Sequence, residues 1–92
     1  MADIDVQRKG ANGQIVFAVR VFDGGTESRH EVTLSEEDYR RLGEGYGSPD
    51  EFVRACFEFM LEREPKESIL SSFDVSVISR YFPEFEETIR KG

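Results

Sequence analysis

The stretch from Phe52 to Leu61 constrains the fold more than any other, because eight of its ten residues are apolar. Its two charged residues, Arg54 and Glu58, stand with Glu62 at i, i+4 and i+8, which on a helix forms one narrow polar stripe. The rest of the circumference is apolar, and a helix of this kind has to be covered on several sides. The sequence therefore predicts one central, largely buried helix, covered by a sheet together with the C-terminal segment, a second subunit, or both.

The boundaries of this helix follow from its capping signals. Ser48 can cap the first turn, Pro49 suits the first helical position, and Glu51 follows the cap by three residues. Pro65 disfavours helical geometry in the residue before it. We therefore expect the helix to run from Pro49 to about Glu64.

The first third of the chain is predicted to be β-structure. Apolar and polar residues alternate around Ile4 and again from Gln14 to Phe22, where both faces are partly apolar and a central strand is expected. Asp23-Gly24-Gly25 is a hairpin signal, since glycine adopts positive φ at little cost. The return strand covers about Ser28 to Leu34. These features predict a three-stranded antiparallel meander within residues 3–35.

After the meander the pattern becomes helical. Ser35 can cap a short helix whose first turn is acidic. The segment Phe73–Phe82 is compatible with strand or helix, and helix is favoured because Arg80 and Tyr81 break the alternation. A last short amphipathic helix is expected from Pro83.

Together these elements predict an α+β fold. A chain of 92 residues falls within the range of one domain, so a single domain is expected over residues 1–92. The β meander occupies residues 3–35, and three to four helices occupy residues 36–91, one of them central.

Charge and cysteine content narrow the expected partners. The chain carries 19 acidic and 12 basic residues, a net charge of −7, and therefore repels nucleic acid phosphates and anionic membrane surfaces. Neither is an expected partner. Cys56 is the only cysteine, so no intramolecular disulfide can form, which is typical of a reducing compartment. The start has no signal-peptide pattern and no apolar run is long enough to cross a bilayer, so a cytoplasmic location is expected.

Candidate chemical groups are few. His30 is the only histidine and alternates with Val32 and Leu34, which favours a partly buried structural role. Cys56 lies on the apolar helix and is expected to pack in the core. The spacing predicts no catalytic residue, no cofactor and no metal ligand, so a non-enzymatic function is expected. A different hypothesis, ranked after the two given below, is a small-molecule binder or enzyme that uses His30 with carboxylates.

One part of the chain resembles a known DNA-binding family. The order of strand at residues 30–34, short helix from Glu36, glycine-bearing turn and Ser-capped helix from Pro49 resembles ribbon-helix-helix domains over residues 29–64. The resemblance implies a dimer whose strand pairs with its twin and enters the major groove. The outward strand residues in that arrangement are Arg29, Glu31 and Thr33. A DNA-binding regulator of this kind is the alternative function.

A second resemblance covers most of residues 30–87. The stretches that carry it are Phe57–Pro65, Ser68–Leu70, Phe73–Asp74 and Arg80–Phe85, with the pattern E-R-E-P…S-I-L…F-D…R-Y-F-P-E-F. They resemble a group of small uncharacterised bacterial proteins. The resemblance implies a bacterial source and transfers no functional residue to this chain.

The last third of the chain is rich in aromatic residues among many charges. Phe73, Tyr81, Phe82 and Phe85 form the candidate interaction surface, because aromatic residues dominate protein interfaces. The alternative is that these four residues only cover the central helix. The leading prediction is a non-enzymatic, homodimeric protein-interaction module that binds a protein partner near its C-terminal segment.

Overall fold

The computed structural model describes residues 2–11 and 13–90 and has the predicted α+β class, with a four-stranded mixed sheet and helices on one of its faces. The strands are β1 (Asp3–Ala11), β2 (Gln14–Asp23), β3 (Thr26–Ser35) and β4 (Ser72–Asp74). The helices are α1 (Glu36–Leu42), α2 (Pro49–Leu61), α3 (Ile78–Tyr81) and α4 (Phe85–Ile89), with 3-10 turns at Lys66–Ser68 and Val75–Val77. Within the sheet the strands follow the order β1-β2-β3-β4.

The first three strands pair antiparallel, as predicted for the meander. Gly24 and Gly25 connect β2 to β3 with φ angles of 63° and 83°, values that favour glycine. Alternate residues of β2 then face the helices, and Phe17, Val19 and Val21 are at most 1% exposed. The hydrophobic core therefore lies between this inner face of the sheet and the helices.

The meander is not the whole sheet, and here the prediction was incomplete. β4 pairs parallel with β3 from Glu31, opposite Ser72, to Thr33, opposite Asp74. The segment 73–82, for which helix was favoured, therefore begins as a strand and continues as a 3-10 turn and α3. Asp74 ends the strand and caps the turn, because its carboxylate accepts hydrogen bonds from Thr33 Oγ1 and from the backbone N–H of Ser76.

Helix α2 lies at the centre, as predicted. Ser48 Oγ accepts a hydrogen bond from the N–H of Glu51 at 3.2 Å, and Pro49 is the first helical residue. The helix ends at Leu61, three residues before the expected end. Its buried side chains are Phe52, Val53, Cys56, Phe57, Phe59 and Met60.

The C-terminal segment covers the flank of α2 that carries Phe59. Phe85 and Ile89 of α4 are 1% and 4% exposed, and the Phe85 ring lies 5.2 Å from the ring of Phe59. Phe82 packs on the same ring at 5.7 Å. The sequence left open whether the C-terminal segment or a second subunit covers α2, and the C-terminal segment does so within one chain. Cover of α2 therefore does not require a dimer, and the homodimer stays a prediction.

In the part of the chain that the structure describes, none of the helices combines the length and the apolar character needed to span a membrane. The longest of them is α2, with 13 residues, whereas a spanning helix needs about 20.

Candidate interaction site

A narrow groove of about 110 Å³ opens between the C-terminal end of α2 and the segment 68–82. Its apolar walls are formed by Met60, Ile69, Phe73, Val77, Ile78 and Phe82. Most of these side chains also belong to the core; Met60 and Ile78, for example, are 4% and 2% exposed. The groove is therefore an opening in the hydrophobic core.

Two large apolar side chains stand exposed on the rim of this groove. Leu70 is 46% exposed and Tyr81 is 65% exposed. Among the described residues the third large exposed hydrophobic side chain, Phe22 at 36%, lies in β2, outside the groove. A single exposed apolar side chain is ordinary on a protein surface. Two such residues at the rim of one apolar opening distinguish this part of the surface as the candidate interaction site.

His30 holds one rim of the groove in place. Its Nδ1 lies 2.7 Å from the carbonyl oxygen of Leu70, and because a carbonyl only accepts hydrogen bonds, Nδ1 carries the proton. In the neutral ring Nε2 then accepts from Ser28 Oγ at 2.8 Å, and the ring packs on Phe57 at 5.3 Å. The N–H of Glu31 donates to the carbonyl of the next rim residue, Ser71, at 2.8 Å. The backbone of the rim is thus bonded to β3 at two consecutive residues.

Arg63 connects the end of α2 to the chain that follows the groove residue Phe82. Its guanidinium lies 3.7 Å from the centroid of the Phe59 ring and donates to the Phe59 carbonyl at 3.0 Å. It also pairs with Glu84, just before α4, at 3.0 Å. Phe82 packs on the same Phe59 ring. The contacts of Arg63 and Phe59 together therefore hold the chain from Phe82 to α4 against α2.

Glu64 places a carboxylate on the rim, and burial raises the pKa of that carboxyl above its ordinary value. Within residues 2–11 and 13–90 its side chain has no hydrogen bond and no ion pair. The neighbouring cations are already paired, Arg63 with Glu84 and Lys66 with Glu67 at 2.7 Å. The rim therefore combines apolar surface with one uncompensated negative charge.

The four aromatic residues of the candidate interaction surface have different positions. Phe73, Tyr81 and Phe82 line the groove, with Phe73 only 9% exposed and Tyr81 on the rim. Phe85 does not line it and is buried against Phe59. Sequence reasoning did not identify Leu70 or Glu64. Leu70 directly follows another apolar residue, Ile69, so no periodicity indicates which of the two side chains points outward. Glu64 is one of many acidic residues and has no distinguishing sequence signal.

A second, wider depression of about 460 Å³ runs along α2 beside α4. It contains Glu51, Glu58 and Glu62, all exposed, and two of these belong to the polar stripe that the sequence predicts. Tyr46 also lines it and donates to the carbonyl of Ile89 at 2.6 Å. These carboxylates face solvent, which is the ordinary position of a polar stripe.

The remaining chemical groups are placed as structural residues. His30 is 5% exposed, and both of its ring nitrogens are bonded. Cys56 is 1% exposed, and burial raises the pKa of its thiol far above the ordinary value, so the thiol stays protonated and is a poor nucleophile. Over the described ranges 2–11 and 13–90, no three His, Cys, Asp or Glu side chains group as metal ligands.

The strand proposed for DNA contact lies inside the sheet. β3 has β2 on one side and β4 on the other, whereas a ribbon-helix-helix strand pairs with its twin. Arg29 pairs with Glu27 at 2.7 Å, and Glu31 pairs with Lys9 at 3.6 Å. DNA binding remains a prediction, and none of these contacts favours it.

The chain was also compared with known proteins. No protein-family model, no curated protein and no solved structure matches it.

Proposed function

We propose that this chain is a non-enzymatic protein-interaction module of the bacterial cytoplasm, which receives a large apolar side chain of a partner protein in the groove between α2 and residues 68–82. The observation that carries the proposal is the exposure of Leu70 and Tyr81, at 46% and 65%, at the rim of one apolar opening. Covering two such side chains stabilises a complex by about 1–2 kcal/mol each. The second resemblance supports the bacterial source, and the single cysteine supports the reducing compartment.

The size of the groove favours a side chain over a small molecule. Typical small-molecule sites have volumes of about 300–1,000 Å³, and this groove has about 110 Å³. Its polar groups are also few, so it has little with which to orient a polar ligand. An aromatic or aliphatic anchor of a partner fits this shape and chemistry.

The charge of the rim indicates the chemistry of the partner. Glu64 lacks an ion-pair partner among the described residues, and the chain carries a net charge of −7. A Lys or Arg beside the anchoring side chain would compensate the rim carboxylate, and a basic partner would be attracted at long range. The proposed ligand is therefore a segment with a large apolar residue next to a basic one.

A selection from a random displayed peptide library tests this proposal directly. Peptides retained by the chain should combine Leu, Ile, Phe or Trp with a neighbouring Lys or Arg. Leu70→Ser and Tyr81→Ser should each reduce affinity by about tenfold, because each removes about 1–2 kcal/mol of apolar contact. Glu64→Lys should exclude the basic peptides selectively.

Phe22→Ser provides the matched control, since it removes an exposed aromatic side chain outside the groove. It should bind the selected peptides as the unchanged chain does. If Leu70→Ser, Tyr81→Ser and Phe22→Ser all bind equally well, the groove is not the binding site and the proposal is wrong.

A further inference from the structure

β1 is an edge strand of the sheet, and the pairing pattern shows which of its backbone groups lack a partner strand. The N–H of Glu31 donates to Ser71, next to β4, so the backbone of Glu31 faces away from β2. Ala18 of β2 lies opposite Glu31, and its backbone therefore faces β1. Gln7 of β1 lies opposite Ala18 and faces back toward β2. Alternate residues of β1 on either side of Gln7 consequently direct their N–H and C=O groups away from the sheet.

These outward residues are Ile4, Val6 and Arg8. Arg54 of α2 donates to the carbonyl of Ile4, which agrees with this assignment. A carbonyl oxygen has two lone pairs and can accept a second hydrogen bond. Ile4 and Val6 are also only half-buried at this edge. Among the described residues this edge has no partner strand, and it presents partly exposed apolar side chains, the features of a strand that can pair with another chain.

The charges of β1 are divided between its two ends. Asp3 and Asp5 stand at the start, and Arg8 and Lys9 stand near the end. When two identical strands pair antiparallel, the start of each lies beside the end of the other, so Asp3 would approach Lys9 of the partner subunit. Asp5 and Arg8 are already paired within the subunit, with Arg20 and Asp50, and Lys9 lies 3.6 Å from Glu31. A parallel arrangement would place acids beside acids. The charges at the two ends of β1 therefore favour the antiparallel over the parallel pairing of two copies.

We propose that two copies of this chain pair through β1, antiparallel about a two-fold axis at Val6, and form one continuous sheet across the dimer. In this register Val6 lies opposite Val6 of the partner subunit, and Ile4 lies opposite the partner's Arg8. Asp3 then lies near the partner's Lys9, the residue that follows the end of the ladder. The outward N–H and C=O groups form a ladder of about six hydrogen bonds. The ladder ends after Arg8, where the irregularity before Gly10 shifts the register of β1.

This dimer is independent of the groove and adds to the proposed function. β1 and β4 lie at opposite edges of the sheet, and the groove lies on the β4 side, lined by Phe73. Pairing through β1 therefore leaves the groove of each subunit open. The assembly would present two identical grooves, which strengthens binding to partners with repeated anchors.

Sedimentation equilibrium of the full chain, combined with exchange of charges, tests the dimer. The mass should approach twice 10.6 kDa as concentration rises. Asp3→Lys and Lys9→Glu should each weaken dimerisation by about tenfold, because each places like charges opposite one another at two symmetric positions. The double variant should recover affinity to within about threefold, since the opposite charges then face each other again. A mass of 10.6 kDa up to about 1 mM, or a dimer that is insensitive to both single variants, overturns the proposal.

Amide hydrogen exchange locates the interface independently of any variant. The N–H groups of Val6 and Arg8 should exchange rapidly in dilute solution and become protected at concentrations where the dimer forms. The N–H of Glu31, which is bonded within the subunit, is the internal control and should be protected at both concentrations. Tyr81→Ser should dimerise normally. A dimer that leaves Val6 and Arg8 unprotected, or that Tyr81→Ser abolishes, uses a different surface and refutes pairing through β1.

Discussion

Phe85→Ala distinguishes the two roles considered for the C-terminal aromatic residues, a core role and an interface role. Phe85 is 1% exposed and packs on Phe59 with ring centroids 5.2 Å apart at an interplanar angle of 70°. Truncating a buried Phe to Ala costs about 3–5 kcal/mol, which includes the cavity that it leaves. A domain of this size has a free energy of unfolding of about 5–15 kcal/mol, so the loss is a large fraction of the total. The matched change Tyr81→Ala, at a side chain 65% exposed, should alter the free energy of unfolding by no more than about 0.5 kcal/mol.

Urea unfolding followed by circular dichroism measures both changes. With a slope of about 1.5 kcal/mol/M, the midpoint for Phe85→Ala should fall by about 2–3 M, and that for Tyr81→Ala should stay within about 0.5 M. Phe85→Leu keeps most of the buried volume, and it should show a smaller loss of about 1–1.5 kcal/mol if the Ala variant is too unstable to purify. If the free energy of unfolding of Phe85→Ala lies within about 1 kcal/mol of that of the unchanged chain, Phe85 is not part of the core and the packing described for α4 is wrong.

Four further predictions follow from single contacts. His30→Leu should lower the free energy of unfolding by about 1–3 kcal/mol in urea, because the carbonyl of Leu70 loses its donor; an unchanged stability would show that this bond does not hold the rim. The Cys56 thiol should react with an aromatic disulfide reagent only on unfolding, so rapid labelling of the native chain would contradict its burial. The hydrogen bond from Arg41 holds the pKa of Glu86 below its ordinary value, so this pair should stabilise the fold above the pKa of unfolded glutamate and lose its effect as the pH falls through the lowered value; Arg41→Gln should flatten that part of the stability–pH curve. Random duplex DNA should show no mobility shift even at low salt, where electrostatic attraction is strongest, because the net charge of −7 opposes contact with phosphates; a shift would support the DNA-binding alternative.

The elements that the sequence predicted correctly are those with local signals. The turn at Gly24 and Gly25 requires positive φ, and the two consecutive glycines in the sequence indicate such a turn. The start of α2 depends on Ser48 and Pro49, whose effects operate within one turn. The central position of α2 follows from its composition, because a helix with apolar residues around most of its circumference is unstable in water until it is covered.

The candidate site was predicted only in part, because it depends on contacts between distant residues. β4 has three residues, too few to establish a period, and it forms because β3 offers a free edge some forty positions earlier in the chain. Leu70 is exposed and Ile69 is buried because His30 and Glu31 bond the backbone of the rim in one orientation.

The sequence by itself determined the α+β class, the hairpins, the central helix and the acidic surface, since each depends on residues close together in the chain or on totals over the whole of it. Only the tertiary structure decided that the C-terminal segment covers α2, that Phe85 belongs to the core while Tyr81 faces solvent, and that β1 is left as a sheet edge. The physical reason is that exposure depends on which surfaces meet. A pattern of apolar residues shows that a side chain can be buried, and long-range packing decides which of the candidates is covered.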